Sequence, residues 1–190
     1  MGIASPAVVT ATIVLLYGFV ALSAIDGVYL HLIRYRLYAH PETRTEHWLH
    51  SGRALLFIPS LLTIFSDVGG PMLWIGVGVL GIDQLLELLD TLVERWSRAS
   101  LGGLSSGEYA LHIAISTLRA GAIALAVASR PRTAWNISNA ELSTLSDLAP
   151  LRAASALLVP GAIAAAVLHL GLAVAAKRRL QAPPSVAAHS

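Results

Sequence analysis

The stretch PMLWIGVGVLGIDQLLELLDTLVERW, residues 71–96, decides the fold. It is long enough to cross a bilayer, whose hydrocarbon core of about 30 Å takes about 20 mostly apolar residues of helix. Yet Asp83, Glu87, Asp90 and Glu94 interrupt it at i, i+4, i+7 and i+11. On a helix that spacing is a single stripe. Ionisable side chains in lipid are costly and face the interior of a bundle. The stretch is therefore expected to be a transmembrane helix that turns its acids toward other helices.

Working outward, four more apolar runs fall at roughly 7–36, 46–66, 106–129 and 150–176. Lipid offers the backbone no hydrogen-bond partner, so spanning segments of this kind are helices. Alternation of period two does not recur along the chain, which argues against an outer-membrane barrel. The predicted fold is an all-α integral membrane protein with five transmembrane helices, helices 1–4 forming a four-helix bundle around a polar cluster. Residues 1–179 make one domain, and 180–190, with Pro183 and Pro184, form a flexible tail.

Composition agrees. The chain is 55% hydrophobic and 13% charged, where soluble domains average roughly 25% charged. Cysteine is absent, which excludes disulfides, thiolate metal sites and cysteine nucleophiles. The net charge is +2 with the basic residues at helix ends, a topology signal rather than a nucleic-acid surface. No Lys or Arg precedes Arg34, so the first run lacks the positive flank of a signal peptide and reads as a retained helix.

Positive charge sorts to the cytoplasm. With five spans, Arg34, Arg36, Arg44, Arg53, Arg95, Arg98, Lys177, Arg178 and Arg179 fall on one side, and Arg130, Arg132 and Arg152 on the other. The expected location is the cytoplasmic membrane of a bacterium, N-terminus outside and C-terminus inside. The 130–149 loop would then face outward, with Asn139 capping a short interfacial helix that contains Glu141 and Asp147.

This topology gathers polar residues from four helices into the cytoplasmic half: Asp26 and His31; Glu46, His47 and His50; Asp83, Glu87, Asp90 and Glu94; Glu108 and His112. Glu46/His50 and Glu108/His112 are i, i+4 pairs that share a face. Asp26 and His31, five apart, do not share one on an α-helix. Plainer roles are also expected. Thr43 to Glu46 and Ser105 to Glu108 both match a capping box. Glu94 and Arg98 are spaced for an ion pair, and Arg119 is expected to pair with Asp83 or Asp26. Arg53 is a further counter-ion for the acids. His31 can reach the head groups, His40 lies in a solvated loop, His169 reads as a core histidine, and His189 is in the tail.

Carboxylates and imidazoles converging from four helices follow the plan of carboxylate-bridged di-iron bundles. The spacing departs from it, being Glu-x-x-x-His where those sites carry Glu-x-x-His. The candidate ligands are Glu87, Asp90, His50, His112, Glu108, His47, Glu46, Asp26, His31 and Asp83. The expected cofactor is a divalent metal, iron first and dinuclear in one version, with haem ranked below. The expected function is a membrane-embedded oxidoreductase acting on a lipid-like or quinol substrate. The alternatives are a proton- or ion-translocating protein, a haem protein held by two histidines, and a non-catalytic membrane subunit.

Overall fold

In a computed structural model, residues 5–138 and 145–181 are described, and within them the chain is all-helical. Five long helices follow the order of the apolar runs: α1 (Pro6–Ala24), α2 (Arg44–Thr63), α3 (Pro71–Ser97), α4 (Ser106–Ala128) and α5 (Ala149–Gln181). Pro6 and Pro71 stand in the first turns of α1 and α3, where a missing N–H costs nothing. The expected cap at Asn139 and Glu141 and the tail from residue 182 lie outside the described residues, and Asp147 sits in a short 3-10 turn, Ser146–Leu148.

Two features depart from the sequence reading. First, α1 does not end at Ala24. It continues into a ten-residue π-helix, Ile25–Arg34, whose i→i+5 hydrogen bonds include Tyr35 N–H to Leu30 O at 2.9 Å. Second, four helical stretches are long and apolar enough to cross a membrane, namely α1 with its π extension, α3, α4 and α5. The exception is α2, whose first half carries Arg44, Glu46, His47, His50 and Arg53.

The helices pack as α2 against α3 and α5, and α1 against α4, with a smaller contact between α1 and α5. α5 lies on α2 as extensively as α3 does, so it belongs to the packing of the other four rather than lying outside a four-helix bundle. An apolar core built on Leu16, Leu61, Ile64, Leu73, Ala122 and Leu151 fills the end where α2 and α4 finish and α3 and α5 begin. There Arg130 donates from Nη2 to the carbonyls of Thr63, Ile64 and Ser66 at 3.1, 2.8 and 3.0 Å. Thr63 and Ile64 are the last residue and the C-cap of α2, where carbonyls run out of helical partners, and Ser66 lies in the turn beyond. Burial pushes this guanidinium down to about 10, and Asp67 opposes the shift.

The outward surface is apolar. On α3, Leu85, Leu88 and Leu92 are exposed while Asp83, Asp90 and Glu94 are buried. A helix in water would bury its leucines and expose its acids.

Candidate metal centre

The polar residues collect at the opposite end from the apolar core, where α1 and α3 finish and α2 and α4 begin. Their arrangement starts with the π-helix. Its wider turn brings residues five apart onto one face, so Asp26 and His31 both point inward, with Asp26 Oδ1 3.4 Å from His31 Nε2. The expectation that they diverge holds for an α-helix and fails here for that reason. His31 is wholly buried rather than reaching for head groups.

His31 meets His50 of α2 edge-to-face, with ring centroids 4.1 Å apart. On the α4 side, His112 Nε2 lies 3.2 Å from Asp26 Oδ1, and its Nδ1 lies 3.4 Å from Glu94 Oε1. From α3, Asp90 Oδ2 lies 3.1 Å from His50 Nε2. Two sets of potential ligand atoms each fall within 4.8 Å of one another, Asp26/His31/His112 and His31/Glu46/His50. His31 belongs to both.

Several of these atoms converge without bonding to each other. Both His31 ring nitrogens, His50 Nε2, Asp90 Oδ1 and Glu94 Oε1 are buried and lack a hydrogen-bond partner. The close approaches of His31 to Asp26, His50 to Asp90 and His112 to Glu94 are not aligned as hydrogen bonds. Buried polar groups are normally satisfied, and each exception calls for a reason such as a bound ion.

The stripe on α3 is divided. Its first two acids go to arginines: Arg119 pairs with both Asp83 and Glu87, and Arg53 adds Nε–Asp83 Oδ1 and Nη2–Glu87 Oε2 contacts of 3.3 Å each. Arg119 thus takes the expected Asp83, together with Glu87, and these two carboxylates stand in an ion-pair layer rather than beside the imidazoles. Its last two acids, Asp90 and Glu94, face His50 and His112.

The glutamates at the helix starts also separate. Glu108 completes the capping box with Ser105, accepts from Tyr35 at 3.0 Å and lies 3.5 Å from Arg98. Glu46 makes no capping box, because the Thr43 hydroxyl donates to Leu37 O at 2.5 Å instead. Glu46 instead meets Arg98 Nε at 2.7 Å and accepts from Ser97. Arg98 therefore bridges Glu46 and Glu108 instead of pairing with Glu94. His47 is set apart: its ring stacks on His169 at 5.4 Å, and its Nε2 lies 3.1 Å from His169 O. His169 is buried as expected, and His40 is half-buried.

The residues the sequence reading undervalued are Arg98 and His31. Arg98 looked like a partner for its own helix turn, and nothing in local spacing marks a bridge to α2 and α4. The five-residue interval from Asp26 to His31 is the trace that a π-turn leaves.

Imidazole nitrogen and carboxylate oxygen are the donor set of zinc, iron and manganese sites. The fold and site define a class: an all-helical protein with four helices apolar enough to span a membrane and a buried His/carboxylate cluster at one end. Compared with known protein families, curated proteins and solved structures, the chain gives no match.

Proposed function

We propose that this protein is a membrane-embedded metalloprotein that holds a divalent metal at His31, with Asp26, His112, His50 and Glu46 around it. One observation carries the reading: a wholly buried imidazole with two unpartnered nitrogens, shared by two ligand triads from three chain segments. Without a cation, the unpartnered nitrogens and oxygens at this centre cost folding energy with no return. Arg119 with Arg53 balances Asp83 and Glu87, and Arg98 balances Glu46 and Glu108, so within this set Asp26, His31, His50 and His112 are the residues that no arginine holds.

Membrane insertion rests on the four long apolar helices and the outward leucines of α3. The orientation is the one with the C-terminus cytoplasmic, on the strength of the basic bias. All five helices lie in the bilayer in this reading, with the polar first half of α2 screened by α3 and α5. The centre lies at one end of the molecule. At the other end the buried charged groups are held locally, Arg130 by the carbonyls of Thr63, Ile64 and Ser66 and Asp67 by Arg152 at 3.1 Å, and do not continue the cluster. The chemistry we assign is oxidation of a lipid-like or quinol substrate, with iron as the first choice of metal.

The test is elemental analysis with an absorption spectrum on detergent-solubilised protein prepared under reducing, metal-replete conditions. Bound iron without a Soret band, lost in His31→Ala and kept in His40→Ala, is the expected result. A wild type that never holds metal, or a His31→Ala protein with full metal content, overturns the reading. A Soret band would replace it with haem.

A further inference from the structure

His31 is wholly buried, and both of its ring nitrogens lack a hydrogen-bond partner. Of the other described histidines, His47, His50 and His169 each have one nitrogen in that state. The difference bears on how many ions the centre takes. A histidine that holds one metal gives its other ring N–H to a carboxylate, a carbonyl or water. His112 has a carboxylate placed for that purpose, with Nε2 facing Asp26 and Nδ1 3.4 Å from Glu94 Oε1. His31 has an acceptor at neither nitrogen, which is what a ring that bridges two ions requires.

Ligand spacing divides the centre at the same residue. Donors at about 2.0–2.2 Å from one ion are at most about 4.4 Å apart. The donor atoms form two sets within 4.8 Å, Asp26/His31/His112 and His31/Glu46/His50, and not one set of five. In the first, Asp26 Oδ1 lies 3.4 Å from His31 Nε2 and 3.2 Å from His112 Nε2, within the roughly 2.8–3.6 Å that separates neighbouring ligands on a four- to six-coordinate ion. In the second, His31 and His50 stand edge-to-face with centroids 4.1 Å apart. Glu46 is steadied beside them by Arg98 Nε at 2.7 Å and by Ser97. A carboxylate has about four lone-pair sites, so those two bonds leave it able to ligate.

Charge agrees. Arg119 and Arg53 match Asp83 and Glu87, Arg98 matches Glu46, and Glu108 sits at the N-terminus of α4. Asp26, Asp90 and Glu94 then bring three negative charges to the histidines. One divalent ion leaves an excess of one negative charge, which is costly at membrane depth. Two divalent ions neutralise the three carboxylates and a His31 ring whose N–H proton has gone to solvent.

We propose that the centre holds two divalent ions bridged by His31, with Nε2 serving the ion on Asp26 and His112 and Nδ1 serving the ion on Glu46 and His50. This deepens the metal reading above and rests on it.

The experiment uses the full chain in detergent, stripped with chelator and titrated anaerobically with Co²⁺. Bound cobalt per chain is measured after desalting, and the EPR signal is recorded at each occupancy. Wild type should bind two ions, and the signal should change shape as the second binds, because the two spins lie about 6 Å apart across one ring. His112→Gln and His50→Gln should each keep one ion with an uncoupled signal, and His31→Ala should keep none. Asp26→Asn and Glu46→Gln form a second pair, expected to repeat the one-ion result should either histidine variant unfold. One ion in wild type, lost alike from both histidine variants, overturns the bridge and leaves a mononuclear centre standing. Two ions without coupling, or two that survive His31→Ala, also overturn the bridge. A wild type that takes up no cobalt removes the metal reading itself.

Discussion

Replacing His31 by leucine should change stability in opposite directions with and without metal. In metal-free protein the imidazole is a burden. It is wholly buried, both ring nitrogens lack partners, and an unsatisfied buried polar group costs about 1–3 kcal/mol. Asp26 keeps His112 when His31 is gone, so no new orphan is created. His31→Leu is therefore expected to be more stable than wild type in chelator, by about 1–3 kcal/mol. In metal the order swings back. A ligand at a hundred times its Kd adds about 2.7 kcal/mol to the state that binds it. At about 2–4 °C per kcal/mol for a chain of this size, metal should raise the wild-type midpoint by about 5–11 °C. The variant, which has lost the residue common to both triads, should not move. The assay is thermal unfolding in detergent, followed by tryptophan fluorescence, with and without chelator. Equal shifts in both proteins, or a variant less stable than wild type in chelator, would refute the reasoning.

Arg119→Met should destabilise the fold by about 3–5 kcal/mol, because it leaves the buried Asp83 and the half-buried Glu87 with half their pairing; metal stoichiometry should stay at the wild-type value, and a loss of metal would place those acids in the centre after all. Gly76→Ala should cost about 1–3 kcal/mol in denaturant unfolding, since a Cβ there would lie 2.5 Å from Thr63 Oγ1; a neutral result would mean α2 and α3 are not so closely apposed. Ser105→Ala should cost about 1 kcal/mol in denaturant unfolding through the lost capping box, and Glu108→Ala should cost more, because it also takes a partner from Tyr35 and from the buried Arg98; an equal or smaller cost for Glu108→Ala would mean those two contacts contribute nothing. A C-terminal reporter active only in the cytoplasm should be active, and activity only on the outer side would invert the orientation.

The helices were legible because long apolar runs leave few alternatives, and the breaks between them fall at Pro, Gly and Ser. The convergence of Asp26, His50, Asp90 and His112 was legible too, since a simple up-and-down order puts the polar halves at one end. What local spacing could not supply was partner choice. The stripe on α3 is uniform in sequence, yet Arg119 and Arg53 take its first half and histidines take its second. Whether Glu46 caps its helix depends on where the Thr43 hydroxyl finds a carbonyl, and Leu37 lies outside any capping pattern. The role of α5 was hidden because its outward and inward faces are equally apolar, so nothing in its composition reports that it rests on α2.

The π-helix at Ile25–Arg34 has a bearing on how kin of this chain would be found. An i→i+5 turn holds one residue more than an α-turn. A relative that keeps the same two side chains on a plain α-helix would carry Asp-x-x-x-His where this chain carries Asp26-x-x-x-x-His31. An ungapped comparison anchored upstream would place the histidines one column apart and score the equivalent pair as a mismatch. A pattern that tolerates one inserted residue between the acid and the imidazole, followed by Glu-x-x-x-His on the next helix, would treat the two forms as the same lineage.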